Sequence, residues 1–115
     1  MSETRCYMIV TAAISDRDTF IDGYGRAAAA LVAEHGGRYV LRGPGATLLE
    51  HPAVGAFGDG ASMVISEWPD RDAAMRFWTS DAYAGAKALR EGIADVQVLL
   101  IDAPKFTQGP TEGDG

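Results

Sequence analysis

Two stretches of this sequence leave no face for water. Residues 6–14 (CYMIVTAAI) and 95–102 (DVQVLLID) are apolar at odd and even positions alike. In a strand successive side chains point to opposite faces, so a run apolar at both parities must be covered on both sides. Met8, Val10 and Ala12 stand against Tyr7 and Ile9 in the first run. Val96, Val98 and Leu100 stand against Leu99 and Ile101 in the second. Any fold of this chain has to bury a sheet twice over.

The segments between these runs alternate between helical and extended patterning. After Ser15-Asp16-Arg17-Asp18, where the Ser15 hydroxyl is expected to cap and Asp18 to reach back, a helical stripe begins. Its members are Phe20, Tyr24, Ala27 and Leu31, beside Ala28, Val32 and His35, and Gly36-Gly37 ends it. Residues 38–42 (RYVLR) alternate as a second strand. Gly43-Pro44-Gly45 then allows a bend, residues 46–50 resume the extended chain, and residues 51–60 form a loop. Residues 61–68 (ASMVISEW) predict a third strand with Met63, Ile65 and Glu67 on one face and Ser62, Val64, Ser66 and Trp68 on the other. Asp70 caps a second helix striped by Ala73, Ala74, Phe77 and Trp78. Thr79-Ser80-Asp81 restarts it, with Tyr83, Ala86, Leu89 and Arg90 on one side. Residues 95–102 are the fourth strand. One domain over residues 1–103 and a flexible tail over 104–115 are expected.

The order is β-α-β-β-α-β. Two interlocked β-α-β units with right-handed crossovers give an α+β, ferredoxin-like domain: one four-stranded antiparallel sheet with both helices on one face. The other face is then bare and, in the two apolar strands, greasy. A second copy pairing bare face to bare face covers it, so a homodimer is expected; a loop or tail folding over that face is the alternative.

Composition narrows the partners. Acidic residues outnumber Lys and Arg 16 to 10, giving a net charge of −6 with no cationic cluster, which speaks against nucleic acid and anionic membranes. Cys6 is the single cysteine, so no disulfide framework is implied, and its apolar setting predicts a buried, inert thiol. The polar, acidic start and the short apolar run after it match neither a signal peptide nor a membrane span, so a cytoplasmic location is expected. His35 and His51 are the two histidines, too few for an ordinary metal site, and no nucleophile elbow or phosphate loop is present. No metal and no cofactor are expected; a small-molecule ligand is.

At this point the sequence resembles a known family. Residues 36–45 (GGRYVLRGPG), residues 64–102 and the opening CYMIV resemble the domain-of-unknown-function family 1330 (DUF 1330), of the dimeric α/β-barrel superfamily. The spacing from Arg42 through Glu67, Trp78, Tyr83 and Arg90 is like the family's. The resemblance implies a ferredoxin-like fold and a dimer whose sheets meet face to face. The wider superfamily holds cofactor-free monooxygenases, isomerases, haem-degrading enzymes and ligand-sensing modules, and fold alone does not choose among them.

The residues offer several candidates. Glu67, at the end of a buried strand, is a candidate general base with a raised pKa; its structural alternative is an ion pair with Arg42 on the adjacent strand. Arg42 is the candidate anion clamp. Tyr24, Trp78 and Tyr83 are candidate walls of a substrate pocket or, equally, core aromatics. Arg90 either grips an anion or pairs with Glu91 or Asp95 near a helix end. Two functional readings stand side by side. One is a cofactor-independent enzyme acting on a small aromatic or carbonyl compound; the other is a non-catalytic dimeric module that binds a metabolite or scaffolds.

Overall fold

The structure, a computed structural model, describes residues 4–51 and 58–105. Four strands, β1 (Thr4–Ile14), β2 (Arg38–Gly43), β3 (Ser62–Trp68) and β4 (Ala94–Pro104), form one antiparallel sheet in the order β2-β3-β1-β4. Between β1 and β2 runs a helix in three pieces: α1 (Arg17–Phe20), a π turn (Ile21–Gly25) and α2 (Arg26–Glu34). Between β3 and β4 lie α3 (Arg71–Trp78) and α4 (Asp81–Ala88). This is the ferredoxin-like arrangement, with the two doubly apolar runs paired in its middle and on one edge. No described helix is long and apolar enough to cross a membrane.

Parity decides the core. Cys6 and Met8 of β1 and Trp68 of β3 are buried with Val32 of α2, Ala73, Ala74 and Phe77 of α3, and Tyr83 and Ala86 of α4; Val10, Val98 and Leu100 pack against them. One face of the sheet therefore carries every helix. The heart of the core is aromatic: the Phe77 ring centre lies 4.9 Å from Trp68 and 4.6 Å from Tyr83. Cys6 is fully buried, and burial, with Asp102 nearby, pushes its thiol up to about 11, so it stays protonated and unreactive at neutral pH.

The helix ends obey local rules. Asp70 accepts from the Ala73 amide at 2.8 Å and Ser80 from the Tyr83 amide at 3.1 Å, so both caps stand where the sequence puts them. The first cap is Asp16 rather than Ser15: Asp16 accepts from the Thr19 amide at 3.2 Å and from its hydroxyl at 2.8 Å. Ser15 instead donates its hydroxyl to the Ile93 carbonyl at 3.1 Å. At the far end Gly37 N–H donates to Val32 O at 2.9 Å and Gly36 N–H to Ala33 O at 3.2 Å, a Schellman closure that Gly36 completes at φ +88°.

Two further expectations are corrected. The first helix runs unbroken over residues 17–34 but is not α throughout, because a π turn widens it at residues 21–25. The extended chain expected over residues 46–50 forms no strand: Ala46 exchanges backbone bonds with Gly60 and Ala61, and the ladder stops there. The loop at 51–60 and the tail fall largely outside the described residues, though β4 itself runs on to Pro104.

Gly37 has a second task. A Cβ there would stand 2.9 Å from three carbons of the Trp68 indole, itself fully buried. Gly37→Ala is expected to cost about 1–3 kcal/mol through overpacking. Differential scanning calorimetry would register this as a Tm drop of roughly 4 °C or more; an unchanged Tm would mean the indole is not held against this backbone.

Candidate functional site

The sheet sorts the candidate residues onto two faces, and a β-bulge does the sorting on β2. Strand β2 pairs with β3 as Arg38↔Glu67 and Tyr39↔Ser66, then slips a position and resumes as Leu41↔Ile65 and Arg42↔Val64. Val40 is the surplus residue. Past it the parity of the strand inverts, so Arg42 joins Tyr39 on the helix side while Arg38 stays with Glu67 on the other. Plain alternation would have kept Arg38 and Arg42 together. The expected Arg42–Glu67 pair does not form; Arg38 Nε donates to Glu67 Oε1 at 2.7 Å in its place.

Glu67 sits on the face away from the helices, and it is buried. Tyr7, its neighbour across β1, donates its hydroxyl to Glu67 Oε2 at 2.9 Å. Burial opposes the charge of Glu67, but the Tyr7 and Arg38 bonds outweigh it and hold the carboxyl below its ordinary range. The raised pKa expected for a general base is thus reversed, and the sheet separates Glu67 from the helix-side aromatics.

On the helix side a cavity of about 440 Å³ opens between the α1–π turn–α2 segment and the sheet. Its floor is Met8, Val10 and Ala12 of β1 with Val64 and Ser66 of β3; its roof is Phe20, Ile21, Tyr24 and Ala28. Tyr39 and Arg42 close one side, and Tyr83 and Phe77 the back. The π turn forms part of this roof.

Polar groups enter at three places. At the back the Tyr24 and Tyr83 hydroxyls hydrogen-bond at 2.8 Å. Burial, then Tyr83 beside it, drives the Tyr24 phenol far above its ordinary range, so it is a neutral hydroxyl. Behind it the Arg90 guanidinium lies 4.9 Å over the Tyr24 ring. Arg90 is buried, and among the described residues it makes no ion pair with Glu91 or Asp95; its Nη1 has no hydrogen-bond partner there. At the mouth Arg17 Nη1 donates to Ser62 Oγ at 2.9 Å, and Arg42 stacks 4.8 Å over the Tyr39 ring. In between, Ser66 Oγ is occupied as acceptor of the Trp68 indole N–H at 2.9 Å.

Of the residues singled out in the sequence, the structure brings Tyr24, Tyr83 and Arg42 to this cavity and sets Arg90 behind it. Trp78 packs on Tyr83 at 5.2 Å but turns its other face to Lys87 and does not line the space. Arg17, Ser62 and Tyr39 went unnoticed. The β3 alternation already placed Ser62 on the helix side, and that was the available signal. Among the described residues no group of His, Cys, Asp or Glu is gathered as a metal site, and His35 Nδ1 is bonded to the Leu31 carbonyl at 2.8 Å.

Comparison with known proteins agrees with this geometry at the level of fold. Residues 5–104 match the family described as Domain of unknown function (DUF1330), and the chain belongs to it. The methylated RPA0582 protein superposes with a TM-score of 0.66 at 18% identity, over 94% of this chain and 85% of that one. A related structure describes RPA0582 as a protein of unknown function from Rhodopseudomonas palustris. SnoaB from Streptomyces nogalater, described as a cofactor-independent oxygenase, superposes with a TM-score of 0.56 at 20% identity, over 97% of this chain and all of that one. The shared fold is the α+β, ferredoxin-like one. No curated protein matches the sequence.

The Glu67 cluster has a pH signature. A carboxyl whose folded pKa lies below its unfolded value of about 4.3 stabilises the fold fully above that value and loses the contribution as pH falls through the folded one. Glu67→Gln is expected to cost about 1–2 kcal/mol at pH 7, the solvent around the exposed Arg38 discounting its share. It should also flatten the fall in stability between about pH 5 and pH 2. Urea unfolding of both proteins across that range checks this; parallel pH profiles would remove the assignment.

Proposed function

We propose that this DUF1330 protein binds a small aromatic or carbonyl compound in the helix-side cavity and acts on it as a cofactor-independent enzyme. The observation that carries the reading is the cavity itself. At about 440 Å³ it falls in the size range of ligand pockets, apolar over most of its wall with a few polar groups aimed inward. An interior collapsed completely around its aromatics would leave no such space. Within the cavity the Tyr24–Tyr83 pair supplies a neutral hydroxyl to a ligand oxygen, and Arg42 supplies positive charge. The described lining contains no carboxylate and no imidazole. The protein's part is therefore to favour the ionised form of a bound phenol or enol by hydrogen bonds and charge in a dry space, rather than to remove its proton with Glu67. SnoaB, described as a cofactor-independent oxygenase on the same fold, gives the analogy its direction.

A thermal-shift screen of neutral phenols, naphthols and aryl amides tests the reading. A ligand at a hundred times its Kd should stabilise by about 2.7 kcal/mol. Ala29 also lines the cavity, beside Ala28, and Ala29→Phe, which adds bulk there, should abolish the shift. A silent screen, or a shift that survives Ala29→Phe, would sink the proposal.

We also infer that two copies pair through the uncovered face. The ladder sets Leu41, Ile65, Ile9 and Leu99 in one row across all four strands on that side. Leu41 is 46% exposed, Leu99 54% and Ile101 50%, an aliphatic patch that a second copy would remove from water. Sedimentation of the wild type is expected at twice the 12.2 kDa chain mass, and Leu41→Lys with Leu99→Lys at the chain mass itself. A wild type that sediments singly at micromolar concentration refutes the pairing.

A further inference from the structure

We infer that the ligand of the helix-side cavity is a carboxylate, an aromatic or alicyclic acid whose ring enters the apolar interior and whose carboxylate stays at the mouth between Arg17 and Arg42. The inference rests on the cavity reading proposed above and names its substrate class. Three arginines, Arg17, Arg26 and Arg42, line this one cavity, and no described carboxylate does. The chain as a whole has a surplus of acid, 16 groups to 10, so counter-charges are plentiful. Arg26 has one, Asp22, at 4.0 Å. Arg17 and Arg42 have none among the described residues: Arg17 rests on the neutral Ser62 hydroxyl and Arg42 on the Tyr39 ring.

The register sets Arg42 and Ser62, whose hydroxyl receives Arg17, on the same face of the sheet. Arg42 stands opposite Val64 on β3, and Ser62, which receives Arg17, is two residues further along that strand with the same parity. The bulge at Val40 brings Arg42 there. A strand that follows its regular alternation would send this arginine to the opposite face, beside Arg38. Bulges recur where a fold must re-aim one side chain. Guanidinium groups present paired donors that match the two oxygens of a planar carboxylate, and both are held by neutral partners that such an anion displaces without separating an ion pair. Behind the cavity Arg90 adds a third positive charge over the Tyr24 ring.

Isothermal titration calorimetry with 1-naphthoate, its neutral isostere 1-naphthamide and 1-naphthyl phosphate tests the class. The proteins are the wild type, Arg17→Met and Arg42→Met, with circular dichroism melts to verify folding. The wild type should bind the acid about tenfold or more tightly than the amide, a preference that shrinks with added salt. Each substitution should reduce that preference to about twofold or less, by weakening the acid more than the amide. Equal binding of acid and amide, or a preference that survives both substitutions, overturns the inference and leaves the cavity reading standing. Tighter binding of the phosphate ester than of the acid overturns the carboxylate assignment. Failure of all three compounds to bind overturns the cavity reading and this inference together.

Discussion

A four-stranded sheet clad by helices on one side commits every residue to one of two environments by the parity of its position, and this domain is organised by that commitment. Even positions of β1 face Trp68, Phe77 and Tyr83; odd positions face outward with Leu99, Ile65 and Leu41. Because the commitment is made by backbone geometry, a single surplus residue reverses it for everything downstream until the ladder ends. Val40 is that residue. It leaves Arg38 with Glu67 and Tyr7 on the outer face and gives Arg42 to the cavity, so one irregularity separates the outer-face charge cluster from the cavity-facing one.

The two clusters differ in electrostatic character. The Tyr7–Glu67–Arg38 row is closed: each carboxylate oxygen accepts a strong bond, and the charge is held in its ionised state by partners already in place. The cavity side is open. Its Tyr24 phenol is neutral, and its mouth arginines rest on a hydroxyl and a ring. A site whose cations are satisfied by weak, neutral partners has interaction free energy to give to an incoming group, and a site that is internally neutralised has little.

Most of the fold was legible because it follows from periodicity. The two doubly apolar strands, the alternation of residues 61–68, the caps at Asp70 and Ser80, and the Gly36-Gly37 stop each rest on local chemistry, and the structure has them all. The site was legible only in part. Tyr24 and Tyr83 fell on helical stripes that pack inward, which pattern can reveal. Arg42 was named both as an anion clamp and as a partner for Glu67, and the choice was not legible, since Val40 carries no bulge signature and the Gly43-Pro44-Gly45 cluster drew the bend three residues too late. Arg17 could not be reached from pattern, because its contact with Ser62 joins segments 45 positions apart and no periodicity spans that distance. The choice of Asp16 over Ser15 as cap was a difference of one residue between two equally suitable oxygens.

The helix over the cavity is anchored at both ends. Asp16 caps its start just after β1, and Gly37, packed on the buried indole of Trp68, closes its end just before β2. The distance between those anchors belongs to the sheet, whereas the number of residues spanning it belongs to the sequence. At residues 21–25 the coil widens into a π turn, which holds more residues per turn than an α-helix. That position is the roof of the cavity. Gaining or losing one residue in this span would thus reshape the chamber from above and leave the sheet, its register and its outer face untouched.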